Sequence, residues 1–177
     1  MACEEEGRME SICKAAIKLG ANDAKLIRAE DVVTGHWVRL KCIYGCDDYG
    51  RNLACPPHSP TPDETREILK EYTWALLIKM TPPDLGSYSV YTHELIFKIE
   101  REAFLMGYYK AFGFASGYCP YCEECNLKTC AHPEKRRPSM EACGIDVFET
   151  ARKAGYNMGV YKERDAKPSF FGLLLVV

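Results

Sequence analysis

Strong net charge is missing from this sequence: 23 lysines and arginines set against 25 aspartates and glutamates leave a formal charge of −2. That balance gives no electrostatic footprint for nucleic acid, and Lys135-Arg136-Arg137 is short enough to read as a solvated loop. Long apolar runs are missing too. The longest, Phe170–Val177, falls far short of a membrane span. The start, Met1-Ala2-Cys3-Glu4-Glu5-Glu6, is acidic and lacks the apolar stretch of a secretory signal. The expectation is a cytoplasmic protein in a reducing compartment, acting on neither membrane nor nucleic acid. There is no internal repeat, low-complexity tract or linker, so residues 1–177 are expected to form a single domain, long enough to bury a core. Signatures of common catalysis are absent as well: no G-x-S-x-G, no Walker loop, no G-x-G-x-x-G after a strand, and no His-x-Glu deaminase site. The sequence names no substrate and leaves open whether the protein is an enzyme.

What stands out instead is cysteine, ten residues of it. Disulfides need an oxidising compartment, so metal ligation and burial as small hydrophobes are the explanations left. Seven of the ten fall into two groups, Cys42/Cys46/Cys55 and Cys119/Cys122/Cys125/Cys130.

The elements around them alternate. Met9, Ile12, Cys13, Ala16 and Ile17 repeat at helical spacing up to Gly20, and residues 24–33 suit a strand. Thr34-Gly35 suggests a turn into a second strand, His36–Lys41, which would put Val38, Leu40 and Cys42 on one face. Thr61-Pro62-Asp63-Glu64 is a capping box that opens a helix running to about Tyr72. A strand over Trp74–Met80, a helix over 88–108 and a strand over Ala111–Ala115 follow. Asp146-x-x-Glu149 opens another helix, stopped by Gly155, and Phe170–Val177 reads as a buried strand. Strand-helix alternation implies crossovers. The expected fold is therefore α/β, a single layered domain with a mixed, largely parallel sheet flanked by helices and two cysteine-rich loops following strands. Parallel strands would bring both loops to one end of the sheet.

The second group has the spacing C-x2-C-x2-C-x4-C. Three thiols at steps of three can converge when the backbone wraps a compact object, and a cubane [4Fe–4S] cluster takes four thiolates. The run has one residue more before its last cysteine than the bacterial ferredoxin pattern, and no proline directly after it. Zinc is the rival, with Cys119/Cys122 pairing with Cys125/Cys130, or with Cys130 and His132 contributing. The triple spacing favours iron–sulfur, since one zinc knuckle uses only two of those cysteines. Thiols in this polar loop do not read as core packing.

The first group, C-x3-C-x8-C, is one ligand short of a closed site. Gly45 and Gly50 allow the loop to fold back, and Pro56-Pro57 stiffens its exit. Cys130, Cys143, His58 or an exogenous molecule on an open iron are the candidate fourth ligands. The radical-SAM spacing C-x3-C-x2-C is absent. Asp47, Asp48 and Arg51 either tune a centre or form an exposed turn. Cys13 reads as core, Cys3 as part of a mobile terminus, and Cys143 as core rather than ligand. His36, in a strand, and His93, in a helix, read as satisfied or solvated.

Two stretches carry a resemblance. Cys42-x3-Cys46, Arg51-Asn52-x2-Cys55-Pro56-Pro57 and Tyr72–Leu77 form the first. The second is Cys119-x2-Cys122-x2-Cys125-x4-Cys130-x-His132-Pro133, followed by Arg137–Glu141 and Gly144–Val147. Together the chain resembles a family of small, uncharacterised, predicted metal-binding proteins of anaerobic microbes. The resemblance implies metal binding by the seven cysteines and no particular reaction. The functional expectation is a cytosolic iron–sulfur protein with one or two [4Fe–4S] clusters, passing electrons to a redox partner. The alternatives are a zinc-stabilised interaction module and an enzyme using an open, three-cysteine iron site.

Overall fold

The computed structural model of the chain describes residues 2–160 and 168–177. Five helices and four strands follow in the order α1 (Ala2–Leu19), β1 (Asp23–Arg28), α2 (His36–Gly45), α3 (Pro62–Leu69), β2 (Trp74–Met80), α4 (Tyr88–Leu105), β3 (Phe112–Phe114), α5 (Val147–Lys153) and β4 (Phe170–Leu175). Single 3-10 turns cover Ala29–Asp31 and Glu141–Cys143. Local chemistry sets several of these limits. The Thr61 side chain accepts from the Glu64 N–H while the Glu64 carboxylate accepts from the Thr61 N–H, at 2.7 Å, completing the capping box of α3. Asp146 Oδ1 accepts from the Glu149 N–H at 3.0 Å and opens α5. Cys3 falls within α1.

The strands form one sheet in the order β1-β2-β4-β3, and every pairing is antiparallel. This overturns the expected largely parallel sheet. Strands β2 and β3 do run the same way, as the helical crossover through α4 requires, because both are antiparallel to β4. But β4 inserts between them, so the crossover joins strands that never touch. Strand β1 pairs antiparallel with β2 from Asp23↔Lys79 to Arg28↔Trp74.

A second expectation also fails. His36–Lys41 is not a strand but the start of α2, so the first cysteine group begins within a helix and only the second follows a strand. Val38 and Cys42 are four residues apart and share a helix face as readily as a strand face. In α2 Val38 is buried and Cys42 half-buried.

Strands β2 and β4 are covered on both faces. Leu76, Ile78, Met80 and Leu174 pack against Ile12 and Ala16 of α1 and against Leu95, Ile96 and Ile99 of α4. Ala75, Leu77, Leu173 and Leu175 face the opposite way, onto Leu69 of α3, Ala151 of α5, and Met140, Cys143 and Ile145. Alternate residues thus feed two cores, and each fully buried aliphatic side chain contributes roughly 1.5–3 kcal/mol. Among the described residues, no helix is long and apolar enough to cross a membrane.

Candidate metal centre

The end of the sheet where β3 stops and β4 begins carries both cysteine groups. Cys42 sits on the last turns of α2, Cys46 caps that helix in an extended conformation, and Cys55 is buried in the loop beyond. The loop is held by its own backbone. Gly50, at φ 72°, donates to the Pro56 carbonyl at 2.7 Å, and Cys55 N–H and His58 N–H close the turns that follow. Gly45, read as a second left-handed position, instead ends α2 without a positive φ.

Arg39 staples this assembly. Its Nη1 donates to Ser59 Oγ at 3.2 Å, to the Pro60 carbonyl at 3.0 Å and to the Ala142 carbonyl at 2.6 Å, and Ser59 Oγ donates to the same Ala142 oxygen. The turn Glu141–Cys143 is thereby fixed against α2. Gly144 follows it at φ 74°, where a Cβ would run into the ring of Pro62 at the start of α3.

Cys42, Cys46 and Cys55 line one cavity of about 240 Å³ together with Tyr88, Tyr118 and Glu141. Tyr88 and Phe170 stack across its wall, centroids 4.8 Å apart. Burial pushes the Cys55 thiol up to about 12, with neighbouring Asp48, Cys46 and Cys42 adding to the effect. Burial likewise raises Cys42, where Cys46 adds and Arg39 opposes. A bound cation is what converts such thiols to thiolates. Cys143 is fully buried in the core beneath this cavity, and its thiol is raised by the same burial.

The second group occupies a loop whose ends are tied together. Ala115 bridges Ser139, with Ala115 N–H donating to the Pro138 carbonyl at 2.9 Å and Met140 N–H to the Ala115 carbonyl at 3.1 Å. Helix α4 grips the loop on both sides. Thr92 Oγ1 donates to the Ser116 carbonyl at 2.8 Å, and Ser89 Oγ donates to the Tyr118 carbonyl. On the far side Arg137 Nε donates to Glu100 Oε2 at 2.6 Å, and the same oxygen accepts from the Gly113 N–H of β3 at 2.7 Å. The two side chains are only 15% and 13% exposed, so this ion pair is largely shielded from water and salt.

Cys119, Cys122, Cys125 and Cys130 all line a second cavity, of about 580 Å³. Burial raises the Cys119 thiol, opposed by the Tyr121 N–H and reinforced by its three partner cysteines. The His132 N–H donates to Cys130 Sγ at 3.4 Å, leaving that sulfur an acceptor already oriented by the backbone. The opposite wall of this cavity is the first loop, from Asp48 to Ala54. Asp48 and Tyr118 line both cavities, so each loop walls the other's site. The two groups do share one end of the sheet, although not through parallel strands.

His132 lines the second cavity, His58 lines neither, and Cys13 is half-buried against the core between α1 and the sheet. His36, expected in a strand, begins α2 and pairs with Asp63 at the surface. His93 is buried in α4, its Nδ1 2.9 Å from the Ser89 carbonyl and its ring edge-on to Tyr121. Glu141, Arg39, Tyr88 and Tyr118 were not singled out by spacing. Glu141 nonetheless stands two residues before Cys143, inside a stretch that carries the resemblance.

The donor set fits metal: seven thiols in two groups, each facing its own cavity. Among the described residues, no three His, Cys, Asp or Glu side chains converge tightly enough to hold a single ion. No curated protein and no solved structure matches the chain. Residues 25–176 match a family model described as predicted metal-binding protein (DUF2284), and the chain belongs to that family.

Proposed function

We propose that the protein is a cytoplasmic iron–sulfur protein that stores and passes electrons to a partner protein. The second loop would hold a [4Fe–4S] cluster through Cys119, Cys122, Cys125 and Cys130, and the first loop a second centre through Cys42, Cys46 and Cys55. The observation that carries this reading is the placement of four thiols around one cavity of about 580 Å³. Zinc gathers four donors at roughly 2.0–2.3 Å from a point, whereas a cubane holds its thiolates apart by the width of its own body. The His132 N–H on Cys130 Sγ would tune such a cluster, because backbone hydrogen bonds to ligand sulfurs set its potential. Bound there, the cluster supplies one-electron chemistry. The chain's own contribution is to fix the thiols with the Ala115–Ser139 tie and the Arg137–Glu100 pair, and to wall the cavity with residues 48–54.

Anaerobic purification followed by iron and acid-labile sulfide analysis tests this directly. Coloured protein with matching iron and sulfide is the expected result. Colourless protein with stoichiometric zinc and no sulfide would sink it. Replacing Cys122 with serine should remove one centre and leave the other.

A further inference from the structure

The first loop brings three cysteines to its cavity, one donor short of a closed centre. Of the protein side chains considered from sequence, Cys130 lines the other cavity and His58 neither. Cys143 is packed among Phe114, Met140, Ile145 and Leu173 and does not line the cavity. Glu141 does line it, beside Cys42, Cys46 and Cys55. Its Oε2 is out of contact with solvent and has no hydrogen-bond partner, and burial raises the acid's pKa against the opposing hydrogen bonds of its own N–H and the Ser139 hydroxyl. Arg39, the guanidinium beside Cys42 and Cys143, is committed to Ser59, Pro60 and Ala142 and not to this carboxylate. A buried carboxylate oxygen left bare is costly, and each such case calls for an explanation such as an ion not represented.

We propose that Glu141 is the fourth protein ligand of the first centre, giving it a shell of three thiolates and one carboxylate. The inference rests on the iron–sulfur reading of that loop. It makes the two centres chemically unlike: four soft thiolates at the second, and one hard oxygen donor at the first. The 3-10 turn that carries Glu141 is fixed by Arg39 at the neighbouring Ala142 carbonyl, which positions the carboxylate without engaging it.

The test uses the full chain, prepared anaerobically, as wild type, Cys42→Ser, Glu141→Gln, Glu141→Cys and Cys143→Ala. Iron and sulfide per chain and Mössbauer spectra are the readouts. Wild type should show an iron site with oxygen-type parameters. Glu141→Gln should lose that signal and up to about half of the iron, the share of one of two clusters. Glu141→Cys should regain the iron with an all-thiolate spectrum, and Cys143→Ala should match wild type. A wild-type spectrum from Glu141→Gln, an iron-poor Glu141→Cys, or loss of the first centre in Cys143→Ala would each overturn the assignment. Should Cys42→Ser leave iron and spectrum unchanged, the metal reading of the loop itself fails, and this inference with it.

Discussion

Gly144 shows how much of the site hangs on a single backbone angle. It is left-handed at φ 74° and its α-carbon faces the Pro62 ring, so alanine meets both strain and a clash. Gly144→Ala should destabilise the protein by about 2 kcal/mol or more in urea melts, and should weaken the first centre by shifting the turn that bears Glu141. His93 gives a pH dependence with a definite sign. Burial holds it below the usual histidine value of 6.5, partly offset by the Ser89 carbonyl. As pH falls through that value the unfolded chain takes up a proton and the folded chain does not, so stability is lost on acidification. His93→Gln should flatten this slope between about pH 5 and 7, as followed by chemical denaturation. Residue by residue, the grouping of seven cysteines around two cavities was legible because spacing is a pattern. The place of Glu141 in the first cavity's lining and the contacts of Arg39 were not, since a lone carboxylate or guanidinium gains its meaning only from what folds against it.

Helix α3 lies apart from both cavities, whereas α2 carries Cys42 and is capped by Cys46. The Thr61 capping box stabilises α3 and touches neither cavity, so Thr61→Ala should cost about 1 kcal/mol and leave bound iron unchanged. Arg39→Met removes the donor shared by three partners that join α2, the 59–60 loop and the Glu141–Cys143 turn. It should cost about 2–3 kcal/mol and also release the iron of the first centre, measured on the same samples. Elements written in local chemistry were readable in advance: the Thr61 and Asp146 caps, and the apolar runs of β2 and β4. Helix α2 was not. Its apolar residues fit a period of two as well as one helix face, and Trp37, Leu40 and Tyr44 stay exposed. Arg39 and its partners, distant in sequence, accompany the helical solution.

Across the whole molecule, strand order was the part least available from sequence. Nothing in β4 says that it will enter between β2 and β3, because its neighbours are set by packing on two faces rather than by proximity along the chain. The shared walls of the two cavities bear on function at this scale. With Asp48 and Tyr118 lining both, two reduced clusters would lie near enough to couple magnetically. Fully reduced protein should give an EPR spectrum split by interaction between the centres, and Cys122→Ser should collapse it to that of an isolated one. Independent, unsplit signals would place electron exchange between the centres in doubt.

The position of β4 also orders events during synthesis. It is the last of the described strands to leave the ribosome, yet it is the partner of both β2 and β3. Until it arrives, β2 lacks its second partner and β3 has none in the sheet, and loop closure over nearly a hundred residues separates β2 from its mate. Phe170, at the start of β4, is also part of the first cavity's wall. A nascent chain therefore carries its cysteines for a time without a finished first cavity, and a centre of the kind proposed there would be filled after translation rather than alongside it.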